Sequence, residues 1–215
     1  MNPMYRTILK PGEAHLEIQK SKFIGYAVPV SSEEEAVAFI ESVKKKHRDA
    51  THNVPAYLIG LNYEVQRYSD DGEPSGTAGV PILEFLKKAG VINLCVVVTR
   101  YFGGVKLGTG GLVRAYTQTA QAALEATGIV EMYSFTRLRL EYDYGLHGKL
   151  TNWLEGKEDV LKDEIQYTEK VSAEVLCPES EVASFLDEYI ELTSGIGICE
   201  TLETAYVAIK GGKRC

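Results

Sequence analysis

Residues 92–99 run Ile-Asn-Leu-Cys-Val-Val-Val-Thr, the apolar, β-branched composition of a strand covered on both faces. Upstream, residues 15–30 alternate apolar and polar before turning apolar, which predicts two strands with Lys20-Ser21-Lys22 near their turn. Ser32 followed by Glu35 is a capping-box pattern, and Ala36, Phe39, Ile40 and Val43 recur behind it at helical spacing. Lys44, Lys45 and Lys46 suit the negative end of that helix dipole. Strands are expected at 55–61 and 63–68, and a short helix at 81–88 stopped by Gly90. A longer helix runs from about 110 to 127, with Leu112, Ala115, Tyr116, Thr119 and Ala123 toward a core and Gly128 at its end.

The rest of the chain reads differently. Residues 129–135 look like a connector, followed by strand 136–142, helix 144–154, strands 160–167 and 170–177, helix 179–192 and strand 197–208. That βαββαβ order is the split βαβ of ferredoxin-like domains. The expected class is α+β, with two domains at 1–132 and 133–215.

Charge sharpens the division. Residues 1–140 carry 16 Lys/Arg against 14 Asp/Glu, whereas residues 141–203 carry four Lys against 16 acids, a net of −12. The acidic half is a poor phosphate binder on its own and a plausible surface for a protein partner. Four cysteines (Cys95, Cys177, Cys199, Cys215) show no CxxC spacing, as expected of a reduced, cytoplasmic protein. Neither a signal pattern nor a membrane-length apolar run is present.

The candidate chemistry follows the apolar strand. Arg100-Tyr101-Phe102 leads into five glycines, Gly103, Gly104, Gly108, Gly110 and Gly111, and then a helix. A strand passing through a Gly-rich turn into a helix N-terminus can hold an anion on its backbone N–H groups. No acid occurs between residues 85 and 124, while Lys87, Lys88, Arg100, Lys106 and Arg114 are basic. Nucleotide motifs are near misses: Thr109 stands where a P-loop needs Lys, and Val113 where a dinucleotide fingerprint needs its third Gly. Phe102 is expected to pack beside the sheet, and Arg114 to lie one turn inside the helix, within reach of an anion there.

A second cluster, Asp70-Asp71-Gly72-Glu73-Pro74-Ser75-Gly76-Thr77, is a loop of turn formers with three carboxylates. Asp70, Asp71 and Glu73 form a possible acidic site. They would hold a hard cation, act as acid or base, or pair with the basic glycine stretch. His52 is a candidate partner for that loop. No HExxH, GxSxG, Walker A or zinc-spaced Cys/His cluster occurs, and Cys95 reads as inert packing. Neither a catalytic residue nor a cofactor or metal is assigned from the sequence.

Residues 71–79 (Asp-Gly-Glu-Pro-Ser-Gly-Thr-Ala-Gly), together with 98–108 and 109–116, resemble the YigZ/IMPACT family over essentially the whole chain. The motif positions are Asp71, Gly72, Glu73, Pro74, Gly76, Thr77, Gly79, Arg100, Tyr101, Phe102, Gly103, Gly104, Gly108, Gly110, Gly111, Leu112 and Tyr116. The resemblance implies an N-terminal α/β sandwich similar to the second domain of a small-subunit ribosomal protein. It also implies a C-terminal ferredoxin-like domain of the elongation-factor-G kind. Its eukaryotic relatives are regarded as translation regulators acting through protein partners, and bacterial members are suspected of binding nucleic acid or ribosomes. Many bacterial members carry His-x-Cys before the Asp loop. This chain has His52-Asn53-Val54, which excludes a cysteine-based activity at that point.

Three functions stand open. The first is an RNA- or ribosome-associated regulator, with Arg100, Lys106, Arg114 and the glycine backbone on phosphate and Tyr101 or Phe102 on a base. The second is an enzyme acting on a small phosphorylated ligand, with the acidic loop facing the glycine turn. The third is a protein-interaction module working through the acidic half.

Overall fold

The computed structural model describes residues 3–210 and 213–214; Cys215 lies outside the described residues. In chain order the elements are β1 (Tyr5–Ile8), β2 (Gly12–Ile18), β3 (Ser21–Pro29), α1 (Glu33–Lys46), β4 (His52–Ile59), β5 (Val65–Tyr68), α2 (Gly79–Ala89), β6 (Leu94–Tyr101) and α3 (Gly108–Thr127). They continue with β7 (Ile129–Tyr142), α4 (His147–Glu155), β8 (Leu161–Tyr167), β9 (Val171–Pro178), α5 (Val182–Leu192), β10 (Ile198–Lys210) and β11 (Lys213–Arg214). The chain divides into two compact units, Tyr5–Glu131 and Met132–Cys215 with Met1–Met4. No helix among the described residues is long and apolar enough to cross a membrane.

The first unit is built on a sheet of order β2-β3-β6-β4-β5, antiparallel at every pairing. β6 lies in its middle. Strand periodicity sends Leu94, Val96 and Val98 to a face covered by α2 and α3, through Ile82, Leu86, Leu112, Tyr116 and Ala120. Cys95 and Val97 face the other way, onto Ala36, Ile40 and Val43 of α1. The double-sided burial that the apolar run predicts is thus met by helices on both sides of an antiparallel sheet. Burying each such Val or Leu side chain contributes roughly 1.5–3 kcal/mol.

Local signals set several boundaries. Ser32 Oγ accepts the Glu35 N–H at 3.3 Å, but the Glu35 carboxylate turns to Ser31, accepting from its N–H at 2.7 Å and its hydroxyl at 2.9 Å. Only one arm of the capping box forms. Gly90 ends α2 in the left-handed region, with φ 64°. Strand β4 begins at His52, three residues before the expected start, and this extension matters for the site.

The second unit has the sheet order β11-β10-β7-β9-β8. The four strands of the βαββαβ unit therefore lie fourth-first-third-second, the ferredoxin-like arrangement. Leu138, Leu140, Val171, Ala173 and Val175 face Leu150 and Leu154 of α4 and Phe185 and Tyr189 of α5. Alternate positions carry Arg137, Arg139 and Glu174, with Arg139 opposite Glu174 in register and bonded to it at 3.0 Å. Residues 129–135 are not a connector, because β7 starts at Ile129 and buries Val130 and Met132 at alternate positions. Ser134, followed by two adjacent buried residues, Phe135 and Thr136, interrupts the alternation that would have marked a strand.

Candidate functional site in the N-terminal unit

Two features of the sheet assemble the site. In the β4–β6 register His52 lies directly across from Arg100, and in the β3–β6 register Phe23 lies across from it on the other side. The alternation of β6 then carries Arg100 onto the α3 side, where its Nη1 donates to Glu73 Oε1 at 2.6 Å. The Tyr116 hydroxyl, from the third turn of α3, donates to the same oxygen at 2.7 Å. Arg100 is 5% exposed and Glu73 8%, so this is a desolvated ion pair. The Arg100 guanidinium also lies 5.4 Å from the ring centroids of both Phe23 and Phe102. Burial, then the adjoining Glu73, pushes the Tyr116 phenol far above its ordinary range and keeps it a donor.

The acidic loop is brought to the glycine turn, but its three carboxylates part company. Asp70 accepts from the N–H groups of Gly76 at 2.8 Å, Ala78 at 3.1 Å and Gly79 at 2.8 Å, closing the loop and starting α2. Asp71, with φ 47°, accepts the Asn53 N–H on its carboxylate at 2.6 Å and the His52 Nδ1–H on its carbonyl at 2.7 Å. Asp70 and Asp71 are therefore loop architecture rather than a cation or acid/base site. Among the described residues no His/Cys/Asp/Glu group has metal-holding geometry. Glu73 alone of the three reaches the cleft.

That cleft holds about 480 Å3, within the range of small-ligand sites. His52, Glu73 and Arg100 form its polar floor, and Pro74, Phe102, Leu107 and Leu112 its apolar walls. Lys106, Gly108 and Thr109 stand at the start of α3. Leu107 at the α3 N-cap offers no side-chain hydrogen bond, and the first turn holds no acid. The first-turn amides therefore carry no side-chain cap, and no first-turn acid offsets the positive end of the dipole.

The expected anion-binding residues separate here. Lys106 and Gly108 line the cleft, and Gly110 belongs to the uncapped first turn. Arg100 lines it too, but its charge is already matched by Glu73, which removes it from the phosphate-contact role. Tyr101 faces the α1 side, taking the His47 Nδ1–H at 2.8 Å and donating to Asp49 at 3.2 Å. Gly103 is a packing glycine, since a Cβ there would sit 1.9 Å from the Lys20 carbonyl oxygen. Gly104 and Gly108 take φ 83° and 71°, which turns the chain into α3. Gly111 packs against Leu107 and Arg114 is exposed, both outside the cleft lining.

Phe102 is not packed in the core; it is 47% exposed and walls the cleft, because β6 ends at Tyr101 and the chain leaves the sheet there. Cys95 is fully buried and its thiol is pushed up by burial, the expected inert packing. Sequence reasoning missed the Tyr116 hydroxyl as the second donor to Glu73, although its helical position among core residues was legible. It also missed His47, whose partners come from three separate elements.

A helix–sheet–helix domain joined to a ferredoxin-like domain is the class this fold defines, with the cleft in the first. Residues 19–124 match the Impact N-terminal domain, and residues 140–195 match a domain of unknown function, DUF1949. The chain is 45% identical over 203 residues to IMPACT family member YvyE of Bacillus subtilis (strain 168), covering 94% of this chain and 93% of that protein. It is 36% identical to IMPACT family member YigZ of Escherichia coli (strain K12), over 83% of this chain and 88% of that one. A Protein IMPACT homolog of Saccharomyces cerevisiae is 31% identical over 49% of this chain and 42% of its own length. A crystal structure of a hypothetical protein, 33% identical, superposes with TM-score 0.59 and covers 93% of this chain and 97% of that one. The chain belongs to the IMPACT family.

Proposed function

We propose that this protein is a translation-linked regulator that binds single-stranded RNA through the cleft of its N-terminal unit. The observation that carries the reading is the conjunction of an exposed Phe102 ring, Lys106 and an uncapped α3 N-terminus in one cleft. An exposed ring stacks on an unpaired base, and a cation beside free backbone amides suits the adjoining phosphate. Membership of the IMPACT family supports the regulatory, translation-related part. The acidic second unit has no phosphate contact in this reading, because its charge repels RNA.

The test is filter binding of labelled single-stranded RNA by the full chain across a salt series. Lys106→Ala is expected to weaken binding and to reduce the slope of log K against log salt by about one unit. Phe102→Ala is expected to cost about 1–3 kcal/mol with the slope unchanged. Failure to bind RNA at low salt, or binding that neither variant alters, refutes the reading.

A further inference from the structure

Four unpaired cations stand at the edge of the first sheet where the cleft opens. Strand β6 ends there at Tyr101, and its neighbours β3 and β4 both begin there, on opposite sides of it. On the β3 side, Gln19 and Lys20 form the two-residue turn from β2, with φ 47° and 65°, and Lys22 pairs in register with Tyr101. This turn adjoins the wall of the cleft. Gly103, next to Phe102, is packed on the Lys20 carbonyl, and its N–H donates to Ser21 Oγ at 3.2 Å. On the β4 side, the Phe102 N–H donates to Thr51 Oγ1 at 3.0 Å, and the Thr51 N–H to the Arg100 carbonyl at 2.9 Å. Arg48 lies three residues earlier in that loop, whose Asp49 accepts from the Tyr101 hydroxyl at 3.2 Å. Lys106, just before α3, completes the set.

Lys20, Lys22, Arg48 and Lys106 are all exposed, and among the described residues none has an ion-pair partner. Glu17 lies across from Lys22 in register without pairing with it. Lys44 and Lys46 of α1, by contrast, are matched by Glu41 at 3.5 Å and Glu13 at 4.0 Å. From Phe102 to Lys106 the chain passes through Gly103 and Gly104, and a Cβ at Gly104 would meet nothing within 4 Å. Bare backbone of this kind lets a second chain approach closely. β3 and β4 are two strand spacings apart, roughly 10 Å, so cationic segments flank the cleft on both sides. A mononucleotide would need charge in the cleft alone, and a chain end would need it on one side. Charge on both sides fits a polyanion that continues in both directions.

We infer that the cleft takes an internal stretch of single-stranded RNA, whose flanking phosphates run to Lys20 and Lys22 in one direction and to Arg48 in the other. The inference rests on the single-stranded RNA reading above and adds its footprint: Phe102 and Lys106 hold the nucleotide in the cleft, and the two flanks hold its neighbours. Each flanking contact releases counterions, so the salt dependence of binding counts the contacts, at about 0.7 per phosphate of a single strand.

The experiment is binding of the full chain, across a salt series, to one RNA sequence in linear and in circular form. Equal affinity for the two forms is expected, because an internal stretch needs no free end. In Lys20→Ala/Lys22→Ala/Arg48→Ala, with Phe102 and Lys106 intact, the slope of log K against log salt should fall by about two units, three contacts at about 0.7 each. Lys88→Ala is the control. It removes an exposed cation from the end of α2 that leads to the opposite edge of the sheet, and should leave the slope unchanged. If the triple variant fails to fold, the linear and circular forms on the unaltered chain still decide. Circular RNA bound tenfold or more weakly than linear, or an unchanged slope in the folded triple variant, overturns the inference; RNA binding that still depends on Phe102 and Lys106 then leaves the cleft reading standing. Failure to bind RNA at low salt overturns both.

Discussion

Replacing Arg100 by Met removes a charge whose partner cannot follow it out. The Arg100 and Glu73 side chains are 6% and 4% exposed, and their 2.6 Å contact is the charge match for both. In Arg100→Met the Glu73 carboxylate remains beneath α3 with the Tyr116 hydroxyl as its remaining close donor. Breaking a buried pair from one side costs about 3–5 kcal/mol, mostly the penalty of the charge left behind. Loss of the stacked guanidinium against Phe23 adds to this. With a urea m-value of about 2 kcal/mol/M, the unfolding midpoint should fall by roughly 1.5–2.5 M. Glu73→Gln should be costly for the mirror reason, as it strands the guanidinium. The double variant Arg100→Met/Glu73→Gln should cost well under the sum, since neither charge is left unmatched.

The single Trp, Trp153, belongs to the other unit, so its fluorescence is the wrong probe. Amide hydrogen exchange of β6 in rising urea reports the unit that contains the pair. A loss below about 1 kcal/mol, the range of exposed pairs, would refute the reasoning, as would additivity in the double variant.

Gly103→Ala should destabilise the first unit by about 1–3 kcal/mol, because the new methyl meets the backbone of Lys20 and Ser21 rather than a movable side chain; an unchanged urea midpoint would show that the turn gives way freely. His47 should make stability fall with acidification. Its ring joins the Tyr26 hydroxyl at 2.8 Å to the Tyr101 hydroxyl at 2.8 Å, and Lys46 Nζ donates to Tyr26 at 3.0 Å, so the Tyr26 hydrogen points at Nε2. Burial, and next the Lys46 charge, hold the His47 imidazolium pKa below its ordinary value. Below pH of about 6.5 the unfolded chain takes up a proton that the native ring refuses, and the stability difference is lost progressively until the native pKa is passed. Urea midpoints of the unaltered chain and His47→Gln at pH 7.5 and 5.5 check this; parallel behaviour of the two proteins would contradict it.

Much of the architecture was legible because local periodicity and global burial agree. The apolar run of β6 announced a strand covered on both sides, Gly90 and Gly128 marked helix ends, and the second half spelled out βαββαβ. Where local signals conflicted, reading failed: Ser134 and the adjacent buried pair Phe135–Thr136 hid the first half of β7. The glycines and charges of the site were also visible, as were the two loops that carry them.

Their division of labour was not visible. Whether Arg100 meets a ligand or Glu73 depends on residues 27 positions apart in sequence, brought together by the β4–β6 register and the α3 crossing. Equally, the 20-residue α3 alone does not show that Tyr116 joins that pair. The sequence by itself determined the elements and the chemical inventory, because strand and helix periodicity are properties of near neighbours. Only the tertiary structure decided which charges cancel and which groups remain open. Register and face are set by packing across the whole sheet, and the desolvation that forces Glu73 onto Arg100 exists only once the core has closed over them.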